Sequence, residues 1–183
     1  MERGGGLGGR DHARGVSRGC LRGRFPIMMP RMKTLDPMDR KILIALQRNA
    51  DIALEDLGAM VGLSRNAVWR RVKALEAAGV IRSRVALLDP DRLGLGLTVF
   101  MMIRTDRHAP DWLARFAEAT RDMPEILGAY RMSGDLDYLI RARVADVKAY
   151  DALYQRLVAR VELADVSASF VMEEMKETTE LPL

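Results

Sequence analysis

The sequence predicts an α+β protein: an amino-terminal helix-turn-helix unit, winged-helix-like, followed by a carboxy-terminal ferredoxin-like βαββαβ domain. Three observations predict it. Apolar residues recur with a helical period from Met38 to Ala78, interrupted at Gly62. From Leu95 onward the period switches between 2 and 3.6 in the order strand, helix, strand, strand, helix, strand. The charge also changes sign along the chain. Residues 33–86 carry ten basic side chains against six acidic, a net +4, and residues 87–183 carry twelve against seventeen, a net −5. A basic unit ahead of an acidic one points to a polyanion partner for the first, and nucleic acid is the leading candidate.

Composition excludes several classes. Apolar runs such as Leu95 to Ile103 fall well short of the roughly 18 to 20 residues that cross a bilayer. One cysteine, Cys20, and two histidines, His12 and His108, leave no disulfide framework and no multi-Cys or multi-His metal site. The expectation is a cytoplasmic protein without metal or cofactor.

Residues 1–32 hold seven Arg against two acids, a net +5, among many Gly. They lack the apolar stretch of a secretory signal and are expected to be disordered. Three readings stay open: a basic arm adding phosphate contacts, an Arg-rich organellar transit peptide, or a start codon placed upstream of Met28, Met29 or Met32.

The helix-turn-helix unit is expected over 33–82. Asp36-Pro37-Met38-Asp39 reads as a helix start, with Asp36 as N-cap, Pro37 at the first helical position and Asp39 in the first turn. Met38, Ile42, Ala45 and Leu46 form its apolar stripe. A second helix runs from Leu54 to Val61, without a capping side chain at Ala53, and stops at Gly62. Leu63 plugs the angle between helices, and the small Gly58 lets them approach closely. Ser64 caps a third helix that buries Val68, Val72, Leu75 and Ala78 and closes at Gly79.

That third helix carries Arg65, Asn66, Trp69, Arg70 and Lys73 away from its buried face, with donors at 66, 69/70 and 73 on one ridge suited to a major groove, and Ser64 and Arg71 join them as DNA-binding candidates. Arg65 and Asn66, near its amino terminus, are placed to reach base edges. Arg70, Arg71 and Lys73 are placed to hold phosphates. Trp69 either meets a sugar or thymine methyl or packs on the neighbouring helix. The bland reading of the ridge is a solvated basic helix face; the Gly turn, the Ser64 cap and the local charge favour DNA.

A strand over Arg82 to Leu88, broken at Asp89-Pro90, is expected within a strand-and-linker segment 83–94. The second domain spans 95–175. Its first strand is Leu95 to Arg104, with Leu95, Leu97, Val99, Met101 and Ile103 on one face. A helix from Asp111 to Met123 turns Trp112, Leu113, Phe116, Ala117 and Thr120 inward and ends at Pro124. Ile126 to Met132 is a strand, Ser133-Gly134-Asp135 a turn, and Tyr138 to Val144 the next strand. Asp146 to Arg160 is a helix burying Val147, Tyr150, Leu153, Tyr154 and Leu157. Val166 to Met172, alternating Val166, Ala168, Phe170 and Met172, is the last strand, and 176–183 form a tail. Two helices on one face of a four-stranded sheet leave the other open, so apolar residues there need a partner surface, most simply a second copy of the chain. A two-fold dimer suits two recognition helices about one helical turn apart on a pseudo-palindromic site.

This ordered set resembles the Lrp/AsnC (leucine-responsive, feast/famine) family of prokaryotic transcription regulators. It is carried by the segment Leu35 to Leu43, Val61-Gly62-Leu63-Ser64, the segments Arg71 to Glu76 and Gly79-Val80-Ile81, the segment Ser133 to Tyr138, the segment Phe170 to Glu174, and Leu181-Pro182-Leu183. The chain departs from it at Ala53, where the family often has a capping Ser or Thr, and at Arg65, where it often has Pro. The resemblance implies a small effector, usually an amino acid, bound between subunits, and higher assemblies such as tetramers or octamers. It also implies that the loop Gly134-Asp135-Leu136-Asp137-Tyr138 responds to the effector. The chemistry is consistent: Asp135 or Asp137 pairs an α-ammonium, Gly134 opens backbone N–H groups and Tyr138 covers the ligand. The bland reading of Ser-Gly-Asp is an ordinary hairpin turn.

The expectation is therefore a regulator and not an enzyme. A rival reading is an enzyme on the same scaffold, since siroheme decarboxylases resemble these proteins; the second domain offers it only His108. Another rival is an architectural protein coating DNA without an effector. No nucleophile motif, phosphate loop or metal-ligand spacing occurs.

Overall fold

The computed structural model describes residues 34–106 and 109–183. The Gly/Arg-rich extension, His12, Cys20 and His108 lie outside the described residues. Three helices come first: α1 (Pro37–Arg48), α2 (Leu54–Val61) and α3 (Arg65–Ala77). The Asp36 carboxylate accepts from the Asp39 N–H at 2.7 Å, with Pro37 in the first turn, as the cap chemistry predicts. α2 begins at Ala53 without a side-chain cap and ends at Gly62, whose φ of 74° is the left-handed conformation that glycine adopts without strain. Ile42, Leu43, Leu57, Val61, Val68, Val72 and Leu75 form the core between the helices. Ala78, expected in that core, is exposed as the C-cap residue just past the end of α3.

The second domain follows as β1 (Leu97–Arg104), α4 (Pro110–Asp122), β2 (Ile126–Arg131), β3 (Tyr138–Val144), α5 (Val147–Arg160) and β4 (Asp165–Phe170). The strands lie in the order β2-β3-β1-β4, all antiparallel, which is the ferredoxin-like arrangement. Register aligns Met101 with Ile140 and Ala168, and Ile103 with Tyr138 and Val166, so one face of the sheet is apolar throughout. α4 and α5 cover that face with Trp112, Phe116, Ala119, Leu153 and Leu157. Trp112 and Phe116 stack at 5.2 Å, Tyr138 leans on both, and the indole N–H donates to the Glu162 carbonyl.

Several expectations of placement are corrected. Residues 82–88 form no strand: no backbone ladder reaches them among the described residues, and Val85, Leu87 and Leu88 are about 70% exposed. The sheet strand starts at Leu97, leaving Leu95 outside it and exposed. Leu113 and Ala117 face outward and Ala119 takes the inward position, because the buried side of α4 is the 112, 116, 119, 120 row. Val147 opens the first turn of α5 and is exposed, and Met172 lies beyond β4.

Candidate nucleic-acid interface and effector loop

α3 is fixed at both of its sides before any partner arrives. At its start the Ser64 hydroxyl accepts from the Ala67 N–H at 3.3 Å, so Ser64 serves the backbone as its cap. Behind it, a Cβ on Gly58 would lie 2.6 Å from the Leu63 carbonyl oxygen; the turn can therefore sit on α2 only because residue 58 has no side chain.

From this scaffold Asn66, Trp69, Arg70 and Lys73 project away from the core. At about 100° per residue they fall within an arc of roughly 100° opposite the Val68, Val72, Leu75 stripe. All four are exposed, and Trp69 retains 51% of its surface, so it is available to a partner instead of being consumed by packing on α2. Arg70 has no ion pair among the described residues. Lys73 donates to Glu76 at 2.8 Å and Arg65 pairs with Glu55 at 2.9 Å, exposed contacts that a phosphate can displace.

Arg71 does not belong to this ridge. Its Nη1 lies 2.6 Å from Asp36 Oδ2 and 2.8 Å from Asp39 Oδ1, and Asp39 is buried. The guanidinium ties α3 to the start of α1, which corrects its assignment to phosphate. The Arg71 pKa is raised by hydrogen bonds to the two carboxylates. Asp36 is lowered first by the Asp39 backbone N–H and then by Arg71. The sequence carries a signal for this: position 71 is three residues after Val68 and four before Leu75, on the edge of the buried stripe.

The predicted effector loop joins β2 to β3. Gly134 has φ 106°, a conformation that an L side chain would strain. Asp135 is exposed, and its carbonyl accepts from Arg104 Nε at 3.1 Å. Asp137 is half-buried and locked: its Oδ2 accepts from the Thr105 N–H at 2.9 Å, its N–H donates to the Ile103 carbonyl, and its carbonyl accepts from the Met132 N–H. Tyr138 is corrected. Its ring points to the helix face, 5% exposed between Phe116 and Trp112, and cannot cover a ligand at the loop. Gly134, Asp135, Asp137 and the Arg104 guanidinium are what the structure brings together there.

Sequence reasoning assigns the carboxy-terminal residues no function, yet they cross the sheet's open face. Glu174 accepts from the Thr98 hydroxyl at 3.0 Å and from Arg143, and Glu177 pairs with Arg141 at 2.9 Å. No four-residue motif announces this; only the acidic spacing at 174, 177 and 180 does. Among the described residues no His, Cys, Asp and Glu group is disposed to hold a metal ion, and no helix is long and apolar enough to cross a membrane.

Comparison with known proteins agrees over both units. The family model for the AsnC-type helix-turn-helix domain matches residues 35–76, and that for the Lrp/AsnC ligand binding domain matches residues 98–181. A glutamate uptake regulatory protein of Zymomonas mobilis is 50% identical over 152 residues, covering 83% of this chain and 93% of that protein. The crystal structure of an AsnC family transcriptional regulator from Agrobacterium tumefaciens superposes with a TM-score of 0.79 at 51% identity, covering 81% and 97% of the two chains. A transcriptional regulator from Neisseria meningitidis, solved in complex with L-Met, gives 0.78 at 38% identity over 81% and 97%.

Proposed function

Because the chain belongs to the Lrp/AsnC family of transcription regulators, we propose that it binds double-stranded DNA at pseudo-palindromic sites as a homodimer or a higher assembly of dimers, under control of a small amino-acid effector. The observation that carries the reading is the exposed ridge of Asn66, Trp69, Arg70 and Lys73 on a helix whose pose is set by Ser64, Gly58 and Arg71. Asn66 and Trp69 read base edges and Arg70 and Lys73 hold phosphates. Two such helices related by a two-fold axis suit half-sites about one helical turn apart.

The effector reading is supported by the L-Met complex of the Neisseria relative and by the opposite charges around Gly134. A zwitterion has a carboxylate for Arg104 and an ammonium for Asp135 or Asp137. Exposed Val85, Leu87 and Leu88, without ladder partners among the described residues, support association of copies. The protein acts by binding and not as an enzyme.

The test is fluorescence anisotropy with a DNA fragment from upstream of its own coding sequence, paired with thermal-shift measurements in each of the twenty amino acids. The expected result is salt-sensitive binding to that fragment and one amino acid that raises the melting midpoint and changes the DNA affinity. Binding without any such amino acid removes the effector half of the reading, and no binding removes the whole.

A further inference from the structure

We propose that residues 171–183 form a releasable strap that couples the sheet of the second domain to α1 and so sets how α3 is presented. The strap leaves β4 with the Val171 N–H donating to the Thr98 carbonyl, then runs without regular structure. Its first anchors are on β3 and β1. Glu174 takes the Thr98 hydroxyl and Arg143, whose side chain is only 13% exposed, and Glu177 takes Arg141 at 2.9 Å with Arg143 at 3.8 Å. Its far anchors are on α1. The Gln47 carboxamide accepts from the Leu181 N–H at 2.6 Å and donates to the Leu181 carbonyl at 3.2 Å, gripping both polar groups of one residue, and Arg48 pairs with Glu180 at 3.4 Å.

Two features make this a coupling and not simply a packed terminus. The strap's apolar side chains Met172, Met175 and Leu181 are largely exposed, so polar contacts hold it, and the exposed Arg48–Glu180 pair at its far end is of the individually weak kind. It can therefore open while the sheet core stays intact. Both ends also meet elements that matter to the site. Arg141 and Arg143 lie on the strand that leaves the Gly134 loop, and α1 is the helix to which Arg71 ties α3 through Asp36 and Asp39. The bound and released strap thus constitute the two-state element that a coupling between the loop and α3 requires.

The proposal rests on the reading of α3 as the DNA-binding helix. Its test compares the full chain, a chain ending at Thr178, and Gln47→Ala. The truncation keeps Glu174 and Glu177 on the sheet but removes every anchor on α1; Gln47→Ala removes both Gln47 hydrogen bonds with the tail intact, leaving there only the weak exposed Arg48–Glu180 pair, and alanine favours the helix. Both variants should show faster amide exchange in α1 than the full chain, unchanged protection in β1 and β3, and DNA affinity altered by at least about fivefold, the low end of site-to-site couplings. Unchanged exchange and affinity in Gln47→Ala overturn the strap even if the truncated chain misfolds. If the full chain binds no DNA, the reading of α3 fails, and the exchange measurement alone decides the strap.

Discussion

Arg71 Nη1 and Asp39 Oδ1 are 2.8 Å apart, and the carboxylate belongs to a residue that is 3% exposed. A cation at the edge of a helix's polar face is thus turned inward to satisfy a buried anion, while Arg70 beside it turns outward. Arg71→Met should lower the thermal midpoint by several degrees in the absence of DNA, since it takes the guanidinium away from the buried Asp39 carboxylate and from Asp36 and unties α3 from the start of α1. If the substituted protein melts with the parent, the pairing contributes nothing to the fold.

Arg70→Ala should do the opposite: leave the melting midpoint alone and weaken binding to every DNA sequence. The slope of log affinity against log salt should fall by about one, the signature of one lost phosphate contact. Anisotropy titrations at several salt concentrations read this directly, and an unchanged slope would take Arg70 out of the interface.

Gly58→Ala gains roughly 1 kcal/mol of helix propensity, yet its Cβ would meet the Leu63 carbonyl at 2.6 Å, where backbone and not a flexible side chain must yield. The expected outcome is a net destabilisation of up to about 2 kcal/mol in urea unfolding, the roughly 1–3 kcal/mol of forced overpacking less the propensity gain. Stabilisation by this substitution would mean that the turn yields at little cost.

Glu174 carries a pH dependence. The Thr98 hydroxyl foremost, and also the positive charge of Arg143, hold its carboxyl below the ordinary value of 4.5. A carboxyl depressed in the folded state contributes stability that is fully present above its unfolded value and lost as pH falls through the lowered one. The midpoint difference between the parent and Glu174→Gln should therefore be constant at neutral pH and shrink on acidification below 4.5. A difference that grows in acid would reverse the assignment.

Much of this architecture is legible in residue order. Asp36, Gly62, Ser64 and Gly79 mark helix ends by local chemistry, and the alternation at Tyr138 to Val144 marks a strand by its own period; neither depends on what lies elsewhere in the chain. The misplacements share the opposite cause. Whether residues 82–88 pair is decided by a neighbouring strand, which none of the described residues supplies. Tyr138 belongs to a loop motif by its neighbours in sequence, but strand parity sends its ring to the helix face. The place of Arg71 at the edge of the buried stripe can be read locally, but its partners cannot, because they lie 35 and 32 positions away. The tail contacts are more distant still, with Gln47 and Leu181 separated by 134 positions; the acidic spacing at 174, 177 and 180 marks the tail but not its partners.

The two tryptophans occupy opposite environments: Trp112 is sealed in the core beside Phe116, and Trp69 stands half in solvent on α3. The molecule therefore carries two native fluorophores with separate duties. Emission from Trp112 should be blue-shifted and move to the red when the second domain unfolds, whereas the half-exposed Trp69 should emit further to the red and change when a DNA groove closes over it. A Trp112→Phe variant would isolate the second signal, and with it the proposed docking of α3 should become visible in real time, without labels.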